Sequence, residues 1–163
     1  MKHILQSQYH ASLDMLRGAI TQCDDTLWHS TDYHHPFWRV AYHTLFFADL
    51  YLAESLERYT PWAKHVDELE SLGPMVHKDG KMPKAGPPYS MEDVEEYFRL
   101  VSAKVDPSVE ALDFEAGSGF FWLDFSKLEV QLYNIRHIQH HTGQLIERIR
   151  QNLNLPVRWV IKG

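Results

Sequence analysis

The sequence predicts an all-α protein, a four-helix bundle with a long connection between its second and third helices. Four segments place apolar residues at helical spacing, and the segments between them are rich in proline, glycine and polar turn residues. No alternating pattern is long enough to predict a buried strand. With 163 residues, 44% of them hydrophobic, the chain has the size and apolar content of one domain. We therefore expect a single bundle domain over residues 1–163.

The first two helices differ in how much of their surface is apolar. Residues 3–23 predict an amphipathic helix, because one face carries Leu5, Tyr9, Leu13, Leu16 and Ile20. Pro36 suits the first turn of the second helix, where its missing N–H costs nothing. Residues 37–58 are apolar on nearly every side, which predicts a buried central helix.

The connection and the third helix have separate signals. Residues 59–88 are rich in proline, glycine and lysine, which predicts a long connection with room for one short helix. A connection of this length is either a crossover or a functional loop. Ser90 and Asp93 have the spacing of a capping box and predict a third helix over residues 91–104 or further. Pro107 either interrupts that helix or restarts it.

A second capping signal opens the fourth helix. After the break at "AGSGFFWLDF", Ser126 and Glu129 predict a helix that runs to about Leu153. Its main apolar band is expected to run through Leu128, Leu132, Ile135, Ile138, Ile146 and Ile149.

Charge and cysteine content restrict the function classes. A net charge of −6 and no cluster of Lys and Arg argue against a nucleic-acid partner. The one cysteine, Cys23, excludes an internal disulfide framework and fits a buried apolar position in a reducing compartment. The most apolar stretch carries Arg39, His43 and Asp49, which argues against a membrane span. With no signal-peptide pattern at the start, we expect a cytoplasmic protein.

The stretch "YNIRHIQHHTGQLIERIR" contains three histidines within five positions. His137 and His141 are four residues apart, so on a helix they project from one face and can chelate one ion. His140 is the competing choice, but it points toward a charged side formed by Glu129, Arg136 and Glu147. We therefore select His137 and His141. The alternative is a solvated polar face with no metal.

A third histidine lies on the second helix. His43 has the apolar helical neighbours Val40, Phe46, Phe47 and Leu50, which predicts that it is buried. A lone buried histidine is more often satisfied by a hydrogen bond, but a pair on another helix would make it the third convergent nitrogen. Three nitrogens with an open position are typical of a catalytic zinc-type site. The other histidines are expected at the surface or in turns: His3, His10, His29, His34, His35, His65 and His77.

The combination of "HPFWRVAYHTLFFADLYL" and "YNIRHIQHHTGQL" resembles the DinB/YfiT-like superfamily of metal-binding four-helix bundles, over essentially the whole chain. That resemblance implies a divalent metal held by His43, His137 and His141. The family motif often has a basic residue after its last histidine, where this chain has Thr142. Gln144, one turn beyond His141, either supports that ligand or belongs to the helix surface.

The resemblance also implies several functions. Some family members are metal-dependent transferases that use low-molecular-weight thiols, others isomerise or hydrolyse small molecules, and a non-catalytic stress-associated binding protein is the alternative. The metal is expected to be a divalent transition ion, with Zn or Ni first, although imidazoles also suit Cu and Fe. Helical phase alone assigns no catalytic base among Asp49 and Glu54. We expect a small-molecule substrate and a homodimer.

Overall fold

The computed structural model describes residues 1–73 and 87–163, and every regular element in those ranges is helical. Four long helices form a bundle, which confirms the predicted fold class. A short helix and a 3-10 turn accompany them. The helices are α1 (Lys2–Gln22), α2 (Asp25–His29), α3 (Phe37–Leu52), α4 (Met91–Ala111) and α5 (Lys127–Leu153), and the 3-10 turn is Leu56–Arg58. No helix in the described ranges is long and apolar enough to cross a membrane.

The predicted end of the central helix is wrong. The sequence extends the second helix to residue 58, but α3 ends at Leu52 because Ala53 adopts an extended conformation. The chain after it is held by another segment: the amide of Leu56 donates to the carbonyl of Gly119 at 3.0 Å. Gly119 has a φ of 81°, and a Cβ at this position would collide with the carbonyl oxygen of Glu54. A glycine is therefore required for this approach.

Two features of the remaining helices were left open or missed. The short helix α2 was not predicted; the side chain of Asp24 caps it by accepting from the amide of Leu27 at 2.8 Å. Pro107 lies inside α4, and the helix continues through it to Ala111. Proline removes the donor for the carbonyl four residues earlier. That carbonyl belongs to Ala103, which is exposed, so water can satisfy it.

The four long helices form a closed ring. Helix α5 packs between α1 and α3, and α4 packs between them on the other side. Helices α3 and α5 are antiparallel, since Asn134 donates to Ala48 and Lys127 donates to Glu54. Helices α3 and α4 run parallel: Tyr42 contacts Tyr97, and further along both helices Asp49 pairs with Lys104. A chain that joins two parallel neighbours must return along the bundle, which explains the long connection.

The described part of the connection returns along α3. Trp62 stacks on Tyr97 of α4 with ring centroids 4.7 Å apart, and His65 stacks on Phe46 at 5.1 Å. Nearer the start of α3, Arg39 donates to the carbonyl of Ser71 at 2.9 Å. Of the two alternatives, a crossover or a functional loop, the contacts as far as residue 73 fit a crossover. The prediction for His77 falls outside the described residues.

The face of α5 that meets the core differs from the predicted apolar band. Ile138, Ile146 and Ile149 are buried as expected, but Leu132 is 56% exposed. Its place in the core is taken by polar side chains that donate to backbone carbonyls of α3 and the residues after it. Gln131 donates to Tyr51 at 3.1 Å, Asn134 donates to Ala48 at 3.1 Å, and Lys127 donates to Glu54. These contacts fix the register of α5 against α3.

Candidate metal centre

The three selected histidines meet between α3 and α5. His43 is buried at 8% exposure, and His137 and His141 are half-buried one turn apart. The Nε2 atom of His43 lies 3.0 Å from Nε2 of His137 and 3.1 Å from Nε2 of His141. Together the three residues form a group whose potential ligand atoms all lie within 4.8 Å of one another. The geometry therefore suits a shared ion.

The connection fixes the orientation of the His43 ring. Its Nδ1 atom lies in hydrogen-bond contact with the backbone carbonyl of Glu70. A carbonyl can only accept, so Nδ1 carries the proton of the neutral ring and Nε2 carries the lone pair. A backbone acceptor of this kind is typical support for a metal-binding histidine. The crossover thus completes the site from outside the two helices that carry the histidines.

Gln144 fixes the orientation of the His141 ring. Its Oε1 atom lies 3.0 Å from Nδ1 of His141, and its Nε2 atom lies 3.1 Å from Nε2 of His140. The amide donates to His140, so its oxygen accepts from His141. The lone pair of His141 is therefore on Nε2, directed at the same point as that of His43.

The ring of His137 is enclosed by aromatic side chains. Phe47 lies 5.4 Å from it between ring centroids and also contacts His43 at 4.8 Å. Tyr133 lies nearly parallel to His137 at 6.4 Å. The Nδ1 atom of His137 is buried without a hydrogen-bond partner among the described residues. The ring is therefore oriented by packing.

Burial keeps these rings neutral. It lowers the pKa of His43 to about 4 and of His137 to about 3, and it lowers the pKa of His141 against the opposing effect of Gln144. Neutral imidazole is the form that binds metal. The positive charges that these rings could carry also oppose one another.

The facing lone pairs are the best evidence that a cation fits. Two neutral acceptor nitrogens about 3 Å apart repel each other unless a proton or a cation lies between them. Around a tetrahedral ion with bonds of about 2.0 to 2.1 Å, the nitrogens would lie about 3.3 Å apart. The two Nε2–Nε2 separations from His43, 3.0 and 3.1 Å, need only a small expansion. Among the described residues no fourth His, Cys, Asp or Glu joins the group.

The remaining candidates lie away from this point. His140 is exposed and does not converge with the other three. Helical phase assigns no role to Asp49. Its carboxylate accepts from Tyr97 at 3.1 Å and pairs with Lys104 at 2.6 Å, so both oxygens are engaged in structural contacts. Burial raises the pKa of Cys23 to about 12, as an inert buried thiol requires.

His65, one of the histidines expected at the surface or in a turn, is half-buried in the connection between α3 and α4. His65 has a side chain that is only 13% exposed, and it lies between the hydroxyl of Tyr42 and the carboxylate of Asp67. This residue lies outside the helices and is only partly exposed. The sequence around it shows no helical periodicity, and its burial depends on the crossover folding against α3.

A cavity of about 290 Å³ opens beside the histidine group. Tyr133, Arg136, His137 and His140 line it. On the other sides the group is covered by Phe47 and by the backbone of the connection at Glu70. Of the three histidines, His137 lines this cavity, so the cavity adjoins the group at that residue.

One of three comparisons with known proteins finds a match. The family model described as the DinB superfamily matches residues 8–145, a range that contains all three histidines. A search of curated proteins and a search of solved structures each find no match.

Proposed function

Because the chain belongs to the DinB superfamily, we propose that it is a metal-dependent enzyme whose divalent ion is held by His43, His137 and His141. The observation that carries the proposal is the convergence of three Nε2 atoms; in His43 and His141 the opposite ring nitrogen contacts an acceptor, so that Nε2 carries the lone pair. Three neutral nitrogens with an open side are typical of catalytic metal sites. Zn and Ni are the ions we expect first.

The bound ion would supply Lewis acidity, which lowers the pKa of a thiol or water and makes it a nucleophile near neutral pH. The chain's own residues hold and enclose the site. Glu70 and Gln144 keep the ligand rings in the required tautomer, and Phe47 excludes water from one side. The reaction we propose is transfer of a low-molecular-weight thiol to a small electrophile, or hydrolysis of a small molecule.

The first test is metal content. Untagged protein analysed by elemental mass spectrometry should contain about one equivalent of a transition metal after incubation with Zn or Ni. The double variant His137→Ala/His141→Ala should contain none while its helical circular dichroism is retained. His140→Ala is the matched control, because it removes an exposed imidazole from the same turn, and it should keep the metal. Folded wild-type protein that stays metal-free would refute the proposal.

A turnover assay distinguishes an enzyme from a non-catalytic metal-binding protein. Metal-loaded protein should consume a small electrophile in a thiol-dependent or water-dependent manner, and His141→Ala should abolish this activity. If the wild type binds one equivalent of metal but converts no electrophile with any thiol tested, the non-catalytic metal-binding protein is the better description. Activity that survives at the wild-type rate in metal-free His141→Ala would exclude the metal mechanism.

A further inference from the structure

A cavity of about 480 Å³ lies at the end of the bundle where α3 and α4 finish and α5 begins. The last residues of α3 and α4, the 3-10 turn and the first residue of α5 all contribute to its walls. Small-molecule sites usually have volumes of about 300 to 1,000 Å³. Lys127, which lines this cavity, is about 15 Å from His137 along α5. The cavity is therefore separate from the histidine group.

Four charged side chains line this cavity, two of each sign: Arg58, Lys127, Glu54 and Asp113. None of them takes part in an ion pair within residues 1–73 and 87–163. Opposite charges around one cavity that do not pair with each other can each be paired by a ligand that carries both signs.

Lys127 is the buried cation of the cavity, with an exposure of 2%. Its ammonium donates to the backbone carbonyls of Glu54 and Ser118 and lies 5.1 Å from the centre of the Phe120 ring. These contacts are with neutral groups, and an ammonium can donate a third hydrogen bond. A buried charge is stabilised when an opposite charge lies beside it. A carboxylate in the cavity would supply that charge.

Another wall of the cavity is negative, because it is formed by the C-terminal end of α4 at Ala111 and by Asp113. The last carbonyls of a helix carry partial negative charge, and the last turn of α4 contains no basic residue to offset it. Lys2 of α1 donates to one of these carbonyls, that of Glu110, which does not line the cavity. The Asp113 carboxylate accepts from the amide of Glu115 at 3.1 Å, which restricts its position. This wall favours an ammonium group.

The rest of the lining suits an organic molecule. Arg58 is exposed, and its guanidinium can bind a carboxylate in a bidentate manner. Apolar side chains from three segments complete the walls: Leu52, Ala53, Leu112 and Ala116. The cavity thus offers two cations, a negative helix end and an apolar surface.

We infer that this cavity binds a small zwitterion, an α-amino acid or a molecule built like one. Its carboxylate contacts Lys127 and Arg58, and its ammonium contacts Asp113 and the end of α4. The apolar walls take its side chain. This site is independent of the proposed metal chemistry, because none of these residues belongs to the histidine group.

The test is isothermal titration calorimetry of the whole chain at low salt. The probes are alanine, leucine and phenylalanine, each compared with the acid that lacks the amino group and the amine that lacks the carboxyl group. At least one amino acid should bind about tenfold more tightly than both of its analogues, because each analogue leaves one charged wall without its partner. Absence of binding for all three, or an analogue that binds as tightly as its amino acid, would overturn the inference.

Three variants assign the two ends of the ligand. Arg58→Gln should weaken binding of the amino acid and its acid about tenfold and leave the amine unaffected. Asp113→Asn retains an acceptor for the Glu115 amide, and it should weaken the amino acid and the amine but not the acid. Arg99→Gln is the matched control, because Arg99 is exposed on α4 and does not line the cavity. Variants at Arg58 and Asp113 that weaken all three ligands equally, or none, would contradict the assignment.

Amino acids also chelate metal ions, so the titration is repeated with His137→Ala/His141→Ala. This variant should bind the amino acid as the wild type does. Loss of binding in the folded variant would place the ligand at the histidine group, which overturns the inference and leaves the proposed function standing. Wild-type protein that binds the amino acid but no metal would have the reverse meaning.

Discussion

Lys104→Met should destabilise the protein strongly even though the substitution is made at a half-exposed lysine. The Lys104 side chain is 46% exposed, but its partner Asp49 is 1% exposed. Without the ammonium, the carboxylate keeps the neutral hydroxyl of Tyr97 as a donor, with the hydroxyl of Tyr59 also beside it. Removing one partner of a buried pair costs about 3 to 5 kcal/mol, because the remaining charge is left uncompensated.

A value below that range is appropriate, since solvent reaches the lysine side of this pair. We expect a loss of about 2 to 3 kcal/mol in the free energy of unfolding. For a chain of this length each kcal/mol lowers the Tm by about 2 to 4 °C, so the Tm should fall by about 4 to 12 °C. The assay is urea unfolding followed by circular dichroism at pH 7.

Two further variants test the reasoning. Asp49→Asn/Lys104→Met should be more stable than Lys104→Met alone, because the amide can still accept from Tyr97 and carries no charge. Lys64→Met is the matched control: Lys64 contacts two carboxylates, but both are substantially exposed, so its loss should lower the stability much less than the loss of Lys104. A Lys104→Met protein within 0.5 kcal/mol of wild type, or a double variant no more stable than Lys104→Met, would refute the argument.

Three other outcomes follow from the site and the surface. Gln144→Ala should weaken metal affinity about tenfold, measured by competition with a chelator, whereas unchanged affinity would show that the amide does not support His141. Metal-free protein should lose stability as the pH falls from about 6.5 toward 4, because the lowered pKa values of His43 and His137 leave the unfolded chain with more bound protons. Urea unfolding with EDTA measures this, and His43→Leu should reduce the slope; a flat profile in the wild type contradicts it. We expect the protein to sediment as a homodimer at micromolar concentration, and sedimentation as a monomer would contradict this expectation.

The sequence was most informative where periodicity and chemistry coincide. The order of the four long helices and the selection of His43, His137 and His141 over His140 rest on helical phase, which the α-helix converts directly into direction. The end of α3 could not be predicted from the sequence. Its last residues remain apolar, and Leu52 becomes terminal because Gly119, far away in the chain, binds the segment that follows. Tertiary contacts decide such boundaries.

The buried polar residues of α5 could not be anticipated from hydrophobicity. Gln131 and Asn134 are 0% exposed, whereas Leu132 between them is largely exposed. A pattern that ranks side chains by apolar character places Leu132 inside. The amides are buried because carbonyls of α3 need donors at those positions, a requirement that exists only after the helices pack. The Glu70 carbonyl behind His43 escaped prediction for a similar reason, since a backbone contact has no residue type.

The register of α5 on α3 has a consequence for how the protein folds. His43 and His141 are 98 residues apart in the chain, so their nitrogens can meet only after a very large loop has closed. An ion that bridges them therefore has little to bind until both helices are docked. Its binding energy should appear mainly in a slower rate of unfolding, with the rate of folding nearly unchanged. Metal loading would then lengthen the lifetime of the native bundle without accelerating its formation.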